Sequence, residues 1–405
     1  MKRWIIAGAL AATAAGPLAF APAAAQDGEP IVLGELNSYG AFTTFTEPTR
    51  KGWQLALDEI NAEGGALGRQ IEVVSRDDGA STGDAVRTAE ELVTREDAVL
   101  LFGTFLSNVG LAVSDFANQR EVPFVATAPL TDSLTMENGN RYTYRFRPST
   151  YMQVRMLVEA AAERTDATRW AIVAPNYEYG QASAQNFKDL VARIMPEAEI
   201  VAEQYPALGQ IDAGATIQAI ERANPDGIFN VLFGGDLAQF VREGNIRGTF
   251  EDREVVSLLT GEPEWLNPLG AEAPVGWIAT GYPWYDIADP DHLAFIRAYQ
   301  AKFDEDPALG SVLGYSVMRL IHAAIEEAGS TETEAVLAAL ETLEIEAPFG
   351  TLEMRAIDNQ GTMGAWVGRL ANDGNGGYMT DWDYLPGADY MFAPEEVEAR
   401  RPAGE

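Results

Sequence analysis

The chain has 405 residues, no cysteine, and 28 basic against 61 acidic side chains, for a formal net charge of −33. The missing cysteines exclude disulfides, thiol nucleophiles and thiolate metal sites. So acidic a surface excludes a nucleic-acid partner, which needs clustered Lys and Arg.

With 47% apolar and 10% aromatic residues the chain reads as globular. Its acidity is read as like-charge repulsion that favours solubility. Residues 1–25 carry an export pattern. Met1-Lys2-Arg3 is a positive start, an Ala-rich apolar run follows to Ala21, and Ala23-Ala24-Ala25 supplies small residues for cleavage. Gly8, Gly16, Pro17 and Pro22 interrupt that run, which argues against a membrane anchor. The expected product is a freely diffusing periplasmic protein, cleaved after about Ala25 and too long for one compact core.

From Ile31 the pattern alternates strands and helices. Strands are predicted at 31–36, 71–74, 98–102 and 122–125. Helices are predicted from Thr46, where Pro48 falls in the first turn, and over 82–95 and 108–118. The first helix turns Trp53, Ala56, Leu57 and Ile60 to one face. After the short link Phe146-Arg147-Pro148-Ser149 the rhythm restarts. Helices are expected at 150–163, 179–193, 212–223 and 236–244, and strands at 170–173, 200–203, 228–232 and 255–259. Two such series imply two doubly wound parallel-sheet lobes. The last third, with helices at 290–303, 309–328 and 331–341 and strands at 351–354 and 363–370, has too little sheet for a third core. It is expected to split between the lobes, giving several crossings and a cleft.

Enzyme signatures are sparse. His292 and His322 have no partners at metal or triad spacing, and there is no phosphate loop or dinucleotide fingerprint. The run Asp373-Gly374-Asn375-Gly376-Gly377 lacks the closing Glu of a calcium loop and reads as a surface turn. No catalysis, cofactor or metal is expected. Candidate binding residues fall in loops after strands, where open α/β sheets take ligands. Phe105 and Ser107 follow one strand and Thr127 and Ala128 the next. Ser107, at a helix start, could offer its hydroxyl and nearby N–H groups to an anion, or could merely cap its own helix. In the second series Tyr177, Tyr179, Asp236, Thr260 and Glu262 hold such positions, and Trp284 lies near a crossing.

Gly52-Trp53-Gln54-Leu55-Ala56-Leu57-Asp58-Glu59-Ile60-Asn61-Ala62-Glu63-Gly64-Gly65, Gly68-Arg69-Gln70-Ile71-Glu72-Val73 and Arg76-Asp77-Asp78 resemble the periplasmic leucine/isoleucine/valine-binding proteins of ABC importers. Val122-Pro123-Phe124, Tyr142 through Ser149 and Tyr177-Glu178-Tyr179-Gly180 continue the likeness across the chain. The resemblance implies the type I periplasmic binding protein fold, two lobes joined by a three-strand hinge. The expected lobes are 28–147 with 284–352, and 148–283 with 353–405. It also implies a monomer that delivers a small-molecule ligand to an inner-membrane ABC permease. Ser107 and the backbone around Ala128 would hold a ligand carboxylate, Phe45 would cover the ligand, and Tyr179 would close from the second lobe. Two departures bear on the ligand. Leu130 stands where amino-acid binders carry a hydroxyl residue, and Thr260 where they carry an acid, with Glu262 two residues on. The ligand is therefore expected to be a hydrophobic amino acid or, alternatively, an aromatic or aliphatic acid or amide. A secreted sensor module is the alternative to a transport role.

Overall fold

The computed structural model describes Met1 and residues 28–402, so the segment read as an export signal lies, beyond Met1, outside the described residues. The first series runs β1 (Ile31–Asn37), α1 (Thr43–Glu63), β2 (Ile71–Asp77), α2 (Thr82–Arg95), β3 (Leu100–Gly103), α3 (Ser107–Arg120), β4 (Phe124–Ala126) and β5 (Thr143–Arg145). The second runs α4 (Thr150–Arg164), β6 (Arg169–Val173), α5 (Glu178–Ile194), β7 (Glu199–Gln204), α6 (Ala213–Ala223) and β8 (Gly227–Asn230). It continues through α7 (Gly234–Arg247), β9 (Glu254–Gly261), the short α8 (Pro263–Leu266) and β10 (Ile278–Gly281). Each series lays its strands parallel in the same spatial order, β2-β1-β3-β4-β5 and β7-β6-β8-β9-β10. Central strands such as β3 and β8 are buried at every position. This is why they read as short apolar runs without alternation.

The strands of the last third are shared between the two sheets. Helices α9 (Pro290–Phe303), α10 (Leu309–Ala328) and α11 (Thr333–Leu340) lead into β11 (Glu344–Ala347), β12 (Gly350–Arg355) and β13 (Gln360–Gly361), which extend the first sheet. Then β14 (Ala365–Asn372), antiparallel to β10, and β15 (Gly377–Leu385), antiparallel to β14, extend the second before α12 (Pro394–Arg400). The chain thus crosses three times, between β5 and α4, between β10 and α9, and between β13 and β14. The third crossing falls after Gly361, later than the expected change at 352–353. There β12 turns back on β13, and the Asn359 side chain donates to the Asn140 and Thr143 carbonyls, tying the turn to the first sheet.

Two local features set the site. Helix α1 starts at Thr43, ahead of the expected Thr46, because the Thr43 and Thr46 hydroxyls bond back to the Tyr39 and Phe42 carbonyls and carry the turn forward. That places Phe45 inside the helix, fully buried. Helices α1 and α10 cross in close contact at glycines: a Cβ on Gly314 would lie 2.0 Å from the Thr49 carbonyl oxygen. Alanine there would force the helices apart and shift Phe45 with them. Among the described residues no helix is long and apolar enough to cross a membrane.

Candidate functional site

In a sheet ordered 2-1-3-4-5, the connections on either side of the first strand run to opposite faces, opening a crevice at the carboxyl ends. Both sheets present that edge to one place. The segments after β1, β3 and β4 meet those after β6, β8 and β9 around a small cavity. The first lobe contributes Phe45, Phe105, Ser107, Ala128 and Leu130, and the second Tyr177, Tyr179, Phe233, Leu259, Glu262 and Trp265. Arg147 enters from the first crossing.

Ser107 is the first residue of α3 and does not cap it; Leu106 holds the cap position and supplies no side-chain bond. Instead the Ser107 Oγ accepts the Leu130 and Thr131 N–H groups, each at 3.2 Å. With the oxygen's acceptor sites so used, its proton is left to donate. The first N–H groups of α3, unsatisfied within the helix, lie at the same point and favour an anion. The backbone at Ala128 is less available than expected, since its N–H is directed to the Thr104 carbonyl at 3.3 Å.

Aromatic rings make up most of the wall, and they interlock across the lobes. Phe45 stacks on Trp265 with ring centroids 6.1 Å apart and planes 5° from parallel, and Phe105 meets Phe233 edge-on at 5.9 Å. Trp265 in turn donates its Nε1–H to Glu262 Oε2 at 3.0 Å. Glu262 Oε1 accepts from the Arg147 guanidinium, and both side chains of this pair are almost wholly shielded from solvent. Burial pushes the Glu262 carboxyl up to about 8; Arg147 opposes this and nearby Glu264 adds to it. Burial likewise raises the Tyr179 hydroxyl well above its usual range, and that hydroxyl is buried with no hydrogen-bond partner. The cavity is therefore apolar around its body and polar at a few fixed points, the form expected of a small-molecule site.

Seven of the expected site residues line this cavity: Phe45, Phe105, Ser107, Ala128, Tyr177, Tyr179 and Glu262. Four do not. Asp236 accepts the Gly209 and Ile211 N–H groups and pins the segment after β7. Thr260 pairs its hydroxyl with Ser257 at 2.6 Å inside the second lobe. Thr127 is fully buried and does not line the cavity, and Trp284 lines a wider groove beside Tyr285 and Tyr378. Both histidines are packing residues: His292 bonds Tyr282 and the Pro348 carbonyl, and His322 the Gly65 carbonyl. Asp373 closes the β14–β15 turn by accepting the Asn375 and Gly376 N–H groups. Sequence reasoning did not single out Arg147, Phe233, Leu259 or Trp265 as site residues. The available signal was Arg147 itself, a scarce cation placed between an aromatic residue and a proline in the link between lobes.

The sequence profile of the periplasmic binding protein family matches residues 33–375. A Leu/Ile/Val-binding protein homolog 7 from Brucella suis is 24% identical over 364 residues, covering 86% of this chain and 88% of the relative. Among solved structures, the branched-chain amino acid transporter substrate-binding protein LivJ from Streptococcus pneumoniae, in complex with isoleucine, superposes with a TM-score of 0.75 at 22% identity. That superposition covers 88% of this chain and all (100%) of LivJ. A solute-binding protein of an ABC transporter from Rhodopseudomonas palustris, in complex with 4-hydroxybenzoate, gives 0.78 at 20% identity over 88% of this chain and 97% of its own.

Proposed function

The chain belongs to the periplasmic binding protein family, and from that premise we propose that it is the substrate-binding component of an ABC importer. It captures a small amphipathic carboxylate between its lobes and delivers it to a permease in the inner membrane. The observation that carries this reading is the cavity at the shared edge of the two sheets, aromatic in body, with the Ser107 hydroxyl free to donate and the Tyr179 hydroxyl unpartnered. The likeness to proteins that hold isoleucine and 4-hydroxybenzoate supports a ligand of that size. Its role is binding without turnover.

The test is a thermal-shift and calorimetry series over hydrophobic amino acids and aromatic acids. A cleft binder gains about 2.7 kcal/mol of stability at a ligand concentration a hundredfold above Kd. Ser107→Ala lowers that gain. An affinity unchanged in Ser107→Ala would show that the ligand sits elsewhere. Export is tested separately, by the N-terminus of the protein recovered from a periplasmic extract.

A further inference from the structure

Hydrogen-bond donors and acceptors are unequal in number around the cavity. Four groups can donate into it: the Ser107, Tyr177 and Tyr179 hydroxyls and the Arg147 guanidinium. Glu262 is the acid that lines it, and both of its oxygens are engaged, Oε1 by Arg147 and Oε2 by Trp265. Trp265 is itself held against Phe45. An incoming carboxylate meets donors, whereas an ammonium group meets a carboxylate already committed to two partners.

Resting on the cleft reading above, we propose that the cavity selects a carboxylic acid that carries no ammonium group, and that Glu262 takes up one proton when this anion engages Arg147. The charges balance. The Arg147–Glu262 ion pair, a ligand carboxylate and one solvent proton become an Arg147–ligand ion pair and a neutral Glu262 carboxylic acid. The cavity stays uncharged overall, which avoids two carboxylates competing for one cation out of water.

The surrounding groups favour this outcome. Burial is the largest influence on Glu262 and promotes its neutral form, as does Glu264 on α8; Arg147 and the Trp265 bond oppose it. Glu264 does not compete for Arg147 directly, because its oxygens accept the Leu309 and Gly310 N–H groups at the start of α10. Tyr177 and Tyr179, at the start of α5, keep their protons because burial raises both.

The test is calorimetry on the purified protein with 4-hydroxybenzoate and L-leucine, in two buffers of different ionisation heat, for wild type, Glu262→Gln and Ser107→Ala. The expected result is that, at about pH 9, 4-hydroxybenzoate binds with uptake of about one proton, its affinity falling by up to about tenfold per pH unit above about pH 8. In Glu262→Gln binding remains while the proton and the slope disappear. L-leucine binds at least about a hundredfold more weakly, as an unpaired buried charge requires. Leucine binding equal to that of the aromatic acid, or binding without proton uptake, overturns the inference; if Ser107→Ala still weakens that binding, the cleft reading stands. A ligand-free check is the loss of stability with rising pH, which Glu262→Gln reduces. An unchanged slope also overturns the inference.

Discussion

The two walls of the cavity are built from different materials. On the first-lobe side, Ser107 is fixed by two main-chain N–H groups, and its neighbours Phe45, Phe105 and Leu130 carry no charge. On the second-lobe side, residues 262–265 make three contacts outward: Glu262 to Arg147, Glu264 to the start of α10, and Trp265 to Phe45. The first wall is assembled within one lobe and survives opening. The second takes its partners from the crossing segment and from the first lobe. A ligand that bridges both therefore stabilises closure by contacts that the open form lacks, and mutations on the two sides should fail in different ways.

The largest effect is expected from Arg147→Met. It leaves Glu262 buried without its cation, which costs about 3–5 kcal/mol when a buried pair loses one partner. Urea unfolding should show reduced stability, and calorimetry should show a carboxylate affinity at least about a hundredfold lower. Stability equal to wild type would mean that the pair is not buried in solution, and the contrast between walls would weaken.

A comparison of Glu262 with a second buried glutamate, Glu35, sharpens the contrast. Glu35, on β1, accepts from Tyr39 and Ser75, and burial pushes it up to about 7. Its folded value lies above its unfolded one, so its contribution to stability is complete below about pH 4.5 and is lost as pH rises through about 7. The loss is about 3 kcal/mol at 1.36 kcal/mol per unit. Glu35→Gln should flatten this part of the pH–stability curve and leave ligand affinity unchanged, because Glu35 does not line the cavity. A shift in affinity would show that the polar cluster behind β1 is coupled to the cleft.

Ser107→Ala should cost less, about 1–3 kcal/mol for the two buried N–H groups left unpaired. Removal of the donor should lower affinity about tenfold for carboxylates and leave uncharged ligands little affected. Calorimetry against a carboxylate and its amide separates these outcomes.

The first wall was largely legible in the sequence and the second only in part, for a physical reason. Ser107 follows a buried apolar strand and begins a helix, so its position is encoded within a dozen residues. Phe45 and Tyr179 are marked in the same local way, and the two-series rhythm and its crossings are visible in hydrophobic period alone. Arg147 and Trp265 are different. Their roles depend on where a crossing segment and a four-residue helix come to rest against the opposite lobe, and no local period records that. The misplaced candidates show the same limit. Asp236 does follow a strand, whereas Thr260 lies within β9, and their side chains turn to the Gly209 and Ile211 N–H groups and to Ser257. Strands β5 and β10, three and four residues long, were too short to announce themselves.

The smallest effect expected is also the most direct probe of closure. Glu264 does not line the cavity, yet its carboxylate accepts the Gly310 N–H at 2.6 Å and the Leu309 N–H at 3.2 Å, from a helix whose own cap residue, Ala308, has no side-chain oxygen. Glu264→Gln keeps the shape and one acceptor but removes the charge that suits the positive end of α10, a change of about 0.5–1 kcal/mol. Since this contact joins the lobes only when they are shut, the whole penalty should fall on the closed form. Ligand affinity should drop by about two- to fivefold with the number of protons taken up unchanged. Small-angle scattering of the ligand-free protein should show a more open population. If affinity and scattering both match wild type, the contact does not distinguish open from closed, and closure is held by other contacts, the aromatic pairs among them.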